Sequence, residues 1–303
     1  MYSDDPIWSD IMPLAQDDGG PNPLAAIAYK EEYSEAMSYL RAVMAKNEFS
    51  DRALGLTEHI IGMNPAHYTV WLYRTKIIFE LHKGIRDEIS WLNGVALKYQ
   101  KNYQIWHHRL VMIDKLDDAS GETAFISQMF KKDAKNYHVW SYRQWLVRRF
   151  DLWDTEMPEI EDLLRDDIRN NSAWNYRFFI VFGRERPLDG ETVDRELEFS
   201  RKAIVQAPQN PSPWNYLRGV LRKVDLPLSS FKAFANEFAS LDRQDDIRSS
   251  HALDLLADIY AEEQDGQKNA AKSLDLLAEK YDPIRAGFWN YKKGLLGITS
   301  PTA

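Results

Sequence analysis

The chain contains no cysteine. That absence removes disulfides, thiolate zinc sites and a cysteine nucleophile together. Its seven histidines do not form His-Glu-x-x-His or a comparable ligand spacing. Gly-x-Gly-x-x-Gly, P-loop and Gly-x-Ser-x-Gly runs are missing as well, so the common signatures of dinucleotide binding, phosphate cradling and serine hydrolysis fail. No apolar run approaches the roughly 20 residues needed to span a bilayer. The acidic start Met-Tyr-Ser-Asp-Asp-Pro has no apolar signal segment. A soluble, cytoplasmic protein is the expectation. Long runs of one charge do not occur, and a formal charge of -8 argues against a broad nucleic-acid-binding face.

What is present is an aromatic-rich, folded composition: 44% hydrophobic residues and 10 tryptophans, too apolar for a disordered chain. At 303 residues the chain exceeds the size at which one compact core keeps growing, so two domains or an elongated array are both open. A period decides between them. Trp71, Trp106, Trp140 and Trp174 are spaced by 35, 34 and 34 residues, Trp214 follows after 40, and Trp289 after 75, leaving room for one degenerate unit. Tyr or His stands at Trp+2 throughout, and Arg at Trp+3 in the first four units, as Arg74, Arg109, Arg143 and Arg177. Asn102, Asn136, Asn170 and Asn210 lie four residues before their Trp, where Asn caps a helix. Pro211 after Asn210, Pro65 after Asn64 and Pro283 after Asp282 suit a first helical turn. Looser apolar spacing at 89–97, 125–130, 160–168 and 197–205 predicts a partner helix in each unit. The expected fold is all-α, a solenoid of helical hairpins in which each unit buries its apolar face against its neighbours. We expect an irregular lead-in over 1–28, pinned by Trp8 and Ile11, one repeat domain over 29–297, and a tail over 298–303.

Trp and Trp+3 share a helix face, so each Arg is expected to meet a carboxylate or a helix carbonyl end. The acidic pairs at 117–118, 166–167 and 245–246 lack a third Asp for chelating magnesium diphosphate and read as surface charge. His107 and His108 face different sides of one helix and cannot share a metal. What remains is the rim where the repeat helices begin. Lys101, Lys135 and Arg169 precede the capping Asn, and Tyr103 and Tyr137 follow it. Helix starts, free amides and cations in a row favour a multiply charged anion such as a diphosphate. A row of solvated turn cations is the plainer alternative.

The run Lys-Asn-Tyr-Gln-Ile-Trp-His-His-Arg at 101–109, followed by Asp-Ala-Lys-Asn-Tyr-His-Val-Trp-Ser-Tyr-Arg-Gln-Trp at 133–145, resembles the α subunit shared by protein farnesyltransferase and protein geranylgeranyltransferase type I. Asp-Gly-Gly-Pro-Asn-Pro near the amino terminus, Asn-Asn-Ser-Ala-Trp-Asn-Tyr-Arg at 170–177 and Pro-Trp-Asn-Tyr-Leu at 213–217 extend the likeness, which loosens at 183–190 and after about residue 225. The resemblance implies a right-handed superhelix of hairpins wrapped around a β subunit in an obligate heterodimer. That partner would hold zinc and most of the isoprenoid pocket. The implied reaction moves a farnesyl or geranylgeranyl group from its diphosphate to the Cys of a C-terminal CaaX sequence in proteins such as Ras- or Rho-type small GTPases, with magnesium in the farnesyl case. Carried over by position, Lys101 would stabilise the leaving diphosphate and Tyr103 would lie beside it. Gln104 would bind the peptide's terminal carboxylate, while Asn136, Tyr137 and His138 would line the interface or pocket; no metal ligand falls in this chain. Two other readings are a tetratricopeptide-like scaffold and the α subunit of Rab geranylgeranyltransferase. The first expects Trp-x-x-Leu-Gly-x-x-Tyr, which does not occur around the repeat tryptophans at 71–214. The second would usually be longer and lacks Lys-Asn-Tyr-Gln in its second repeat.

Overall fold

The computed structural model describes residues 2–20, 22–185 and 187–297, so the expected tail at 298–303 lies outside the described residues. Among these, all regular elements are helical. The chain divides into two compact units, Met1–Leu152 and Trp153–Ala303. The first holds α1 (Glu31–Ala45), α2 (Asp51–Met63), α3 (Tyr68–Glu80), α4 (Ile85–Lys98), α5 (Tyr103–Leu116), α6 (Glu122–Phe130) and α7 (Tyr137–Phe150). The second holds α8 (Met157–Asp166), α9 (Asn171–Phe182), α10 (Gly190–Gln206), α11 (Pro211–Lys223), α12 (Lys232–Asn236), α13 (Ser250–Glu262), α14 (Gln267–Leu276) and α15 (Ala286–Leu295).

The asparagines cap as their positions predict. Asn102 Oδ1 accepts from the Ile105 amide at 3.1 Å, and Asn136, Asn170 and Asn210 serve α7, α9 and α11 in the same way. Asn64 does not. It closes α2 instead, His67 precedes α3, and Pro65 therefore lies ahead of the helix. The register explains this, because the cap belongs at Trp−4 and Asn64 stands at Trp−7. Pro283 opens a short 3-10 turn, Pro283–Arg285, before α15. At the other end, His82, Asp117, Asp151 and Asp225 all fall at Trp+11 with φ of 50–56°. After His82, Asp151 and Asp225 the next amide donates five residues back, as from Lys83 to Ile78 at 2.9 Å and from Leu226 to Leu221 at 2.9 Å. This left-handed stop reverses the chain in those four hairpins, whereas α9 ends at Gly183 with φ of −86°.

Neighbouring hairpins are joined by a device that recurs in both units. The Trp106 indole donates to the Gln100 carbonyl at 3.1 Å, and Asn136 Nδ2 of the next repeat donates to that same oxygen at 3.0 Å. Trp174 and Asn210 share the Ile168 carbonyl at 2.8 Å each. Trp214 and Ser249 share the Pro208 carbonyl. Ser249 thus marks the degenerate unit: it caps α13, and Leu253 takes the place of Trp.

The arginines find carboxylates. Arg74, Arg109 and Arg177 are buried and bidentate to Glu88, Glu122 and Glu196 at 2.6–3.0 Å. Each guanidinium also lies 3.7–3.9 Å from the ring centroid of Trp91, Phe125 or Phe199, three residues beyond that Glu. The Trp+2 residue of the following repeat completes the set: His108 on Glu88 at 2.8 Å, Tyr142 on Glu122 at 2.5 Å, Tyr216 on Glu196 at 2.7 Å. In the fifth repeat Leu217 replaces Arg. Arg218 there binds Asp254 and Asp258, which Lys292 also reaches.

The lead-in is more ordered than expected. Two 3-10 turns, Tyr2–Asp4 and Pro6–Trp8, bring Trp8 and Ile11 into the core against the first hairpin. Trp8 packs edge-on against Tyr39 at 5.5 Å, and Arg52 clamps Asp10 at 2.6 and 2.9 Å.

Candidate functional site

Three helices of the first unit begin with a tyrosine: Tyr68 in α3, Tyr103 in α5 and Tyr137 in α7. The backbone is helical from these residues on, so each ring stands at the N-terminal rim, and all three are about two-thirds exposed. In the turn before α5, the Lys101 side chain is exposed and its Nζ lies 3.4 Å from Asp133 Oδ2. Such a contact between solvated groups is weak, so the ammonium can leave Asp133 for a stronger anion.

His138 ties this corner together. Its ring meets Tyr103 edge to face at 4.3 Å and 89°, and Tyr137 at 5.6 Å and 75°. Burial lowers its pKa below the ordinary 6.5, while a hydrogen bond with the Lys101 backbone pulls the other way. The net effect keeps the ring neutral near pH 7. Lys101, Tyr103, Tyr137 and His138 are therefore brought together. Asn136 is not exposed beside them: it is buried, with its amide spent on the α7 cap and the Gln100 carbonyl. Its position supports the rim from beneath. The same turn geometry recurs at Lys135 and Arg169, whose amides donate to Asp133 and Asp167 at 3.0 and 2.9 Å.

Gln104 lines a groove of about 420 Å³ between α3 and α5, with Tyr68, Leu72, Tyr103, His107 and Val111. Trp71, Thr75 and His108 also line it. His107 is exposed and His108 buried, as their places on one helix require. Tyr68 is the residue that sequence reasoning passed over. The available signal was its place at Trp−3, the place that Tyr103 and Tyr137 also hold. The second unit carries the equivalent groove between α9 and α11, but there it is about 220 Å³ and lined by Asn171, Asn175, Ser212 and Asn215. Trp174, Phe178 and Tyr216 line that second groove as well, so repeat geometry supplies an aromatic-walled groove in both units, and the asparagines and serine make the second one smaller and more polar.

Among the described residues, no group of three or more His, Asp or Glu side chains is arranged to hold a metal ion. Nor, among them, is any helix long and apolar enough to cross a membrane.

The repeat described as "Protein prenyltransferase alpha subunit repeat" matches residues 50–81, 85–116, 120–150, 153–183 and 193–224. The chain belongs to the protein prenyltransferase α-subunit family. Its relatives carry the more specific name "Protein farnesyltransferase/geranylgeranyltransferase type-1 subunit alpha". The Candida albicans protein is 38% identical over 94% of this chain and 95% of its own length. The Schizosaccharomyces pombe protein is 52% identical over 71% of this chain and 73% of its own. The solved structure of "Candida albicans protein geranylgeranyltransferase-I complexed with GGPP" superposes with a TM-score of 0.88 at 38% identity, covering 95% of this chain and 98% of that one. The fold class of this prenyltransferase α-subunit chain is accordingly the all-α repeat array of that family. Five such matches also set aside the tetratricopeptide reading.

Proposed function

We propose that this chain is the α half of a heterodimeric protein prenyltransferase, shared between the farnesyl and type I geranylgeranyl enzymes. It acts with a β subunit to move the isoprenoid from its diphosphate to the Cys of a CaaX sequence, in substrates such as Ras- or Rho-type small GTPases. The sulfur forms a bond to C1 of the isoprenoid, the C–O bond to diphosphate breaks, and diphosphate leaves with the electron pair. Lys101 supplies fixed positive charge where that negative charge grows. Tyr103, held by His138, lies beside the diphosphate, and Gln104 offers its amide to the peptide's terminal carboxylate from the aromatic groove. Tyr137 and His138 belong to the pocket or subunit interface, and Asn136 holds their helix in place. Zinc belongs to the β subunit in this reading, as the family resemblance implies. Magnesium accompanies the farnesyl reaction.

The observation that carries the proposal is an exposed lysine whose Nζ lies 3.4 Å from Asp133, immediately ahead in sequence of Tyr103 and Gln104, which line the groove between α3 and α5. With the β subunit present, Lys101→Ala is expected to lower the rate of prenyl transfer by about 10- to 100-fold. Affinity for the isoprenoid diphosphate should change less than about threefold, because the lost charge acts mainly on the departing group. Single-turnover rates and diphosphate binding, measured on the same heterodimer, separate the two. Equal rates for variant and parent would return Lys101 to a solvated turn.

A further inference from the structure

Two contacts reach Lys101 from the repeat that follows it. The His138 ring hydrogen-bonds its backbone, and Asp133 Oδ2 lies 3.4 Å from its Nζ. Asp133 stands in the turn between α6 and α7, three residues before the capping Asn136. That turn does not require a carboxylate. At each of the four helices capped by Asn at Trp−4, the Asn amide donates to the carbonyl three residues back. The distances are 3.2 Å to Tyr99, 3.1 Å to Asp133, and 2.9 Å to both Asp167 and Ala207. Tyr and Ala close the turn as well as Asp does, because a backbone carbonyl makes the bond.

The Asp133 carboxylate divides its oxygens between two partners. Oδ1 accepts from the Lys135 amide at 3.0 Å, which fixes the group to its own turn, and Oδ2 faces Lys101. The two sides of the pair differ in freedom. The Asp133 side chain is short, tethered and 29% exposed, whereas that of Lys101 is flexible and 77% exposed. Asp133 is therefore the fixed post, and the ammonium is the part that moves. An exposed pair of this kind biases the lysine by no more than about fivefold, enough to set its resting place without trapping it.

We propose that Asp133 is a positioning residue: it draws Lys101 back from diphosphate once the prenyl group has moved, and so limits how tightly the leaving group is retained. This rests on the prenyltransferase reading above. While the diphosphate is bonded to C1 of the isoprenoid, the bridging oxygen shares its electron pair with carbon. When the C–O bond breaks, that oxygen keeps the pair, and the free diphosphate attracts a cation more strongly. The charge that helps departure would then hold the product in place. A second anion beside Lys101, fixed by the Lys135 amide, competes for the same ammonium and offsets that hold.

Inorganic diphosphate, titrated calorimetrically into the heterodimer, is the probe. Asp133→Asn keeps an oxygen for the Lys135 amide and removes the anion, so diphosphate should bind about two- to fivefold tighter than to the parent. Asp133→Glu restores the anion without the turn contact, and its affinity should lie nearer the parent's than the Asn variant's does. In a Lys101→Ala background, Asp133→Asn should leave diphosphate affinity unchanged. Equal affinities for Asp133→Asn and parent would overturn the inference, as would a Glu variant that binds as tightly as the Asn variant. Tightening that persists without Lys101 would overturn it too, because Asp133 would then repel the anion directly. Lys101→Ala alone separates the two levels. An unchanged rate of prenyl transfer strikes the proposed function, whereas a slowed rate with unaltered Asp133→Asn binding strikes only this inference.

Discussion

His108 stands where Tyr142, Tyr176 and Tyr216 stand in later repeats, and like them it meets a buried glutamate. The difference is that imidazole takes up a proton in the physiological range. Burial lowers the His108 pKa from 6.5, and the Glu88 hydrogen bond restores only part of it. For Glu88 itself, burial pushes upward, but His108 and Arg74 together hold it below 4.5. The signs follow from linkage. Between the lowered His108 value and 6.5, the unfolded chain binds a proton that the folded chain refuses. Stability therefore falls as pH drops through that window, while Glu88's contribution is lost only in stronger acid. His108→Tyr should flatten the first loss. Urea midpoints at about pH 7.5 and 5.5 for parent and variant check it, and equal drops in both would sink the assignment. That each arginine meets a carboxylate or a helix carbonyl end was legible at this scale, but the choice of carboxylate and the identities Glu88, Glu122 and Glu196 were not. They follow their arginines by 14, 13 and 19 residues, because turn lengths differ between hairpins while the pairing distance does not.

At the scale of the element, Asn136 at Trp−4 does two things. Its oxygen caps its own helix, a contact within three residues, and its amide nitrogen reaches the carbonyl that the previous Trp already uses. Capping alone would make Asp an adequate substitute. The shared carbonyl says otherwise, since a buried carboxylate would face an acceptor oxygen with no proton between them. Asn136→Ala should cost about 1–2 kcal/mol, and Asn136→Asp as much or more despite keeping the cap. Chemical denaturation of both variants decides this. If Asp matches the parent, the bridge between repeats contributes nothing. The cap was readable from Asn in front of an apolar-periodic run, whereas the bridge, 36 residues long in sequence, has no local signature. Tyr68 failed for a simpler reason: no Lys-Asn precedes it, so its kinship with Tyr103 shows only from its distance to Trp71.

For the whole molecule, the segment ahead of the repeats is part of the packing. The amino-terminal segment covers the first hairpin with Trp8, which packs on Tyr39 beneath Arg52. Trp8→Ala should destabilise by roughly 3 kcal/mol. Because contacts in such arrays run mainly between neighbours, the loss should appear as faster hydrogen exchange in α1 and α2, with α5 little changed. Uniform acceleration across the first unit would show that its cooperativity is broader than nearest neighbours.

The sequence by itself determined the hairpins, their caps and the period. Each rests on contacts no longer than one or two helical turns, and short-range contacts leave their residues at constant spacing. The residues proposed for function at 101–104 and 136–138 stand out in the same local way. Tertiary structure decided the rest: which glutamate neutralises each arginine, which carbonyl joins two repeats, why Asn136 is buried while Tyr103 and Tyr137 project, and which carboxylate meets Lys101. Those outcomes depend on how neighbouring helices dock across variable turns.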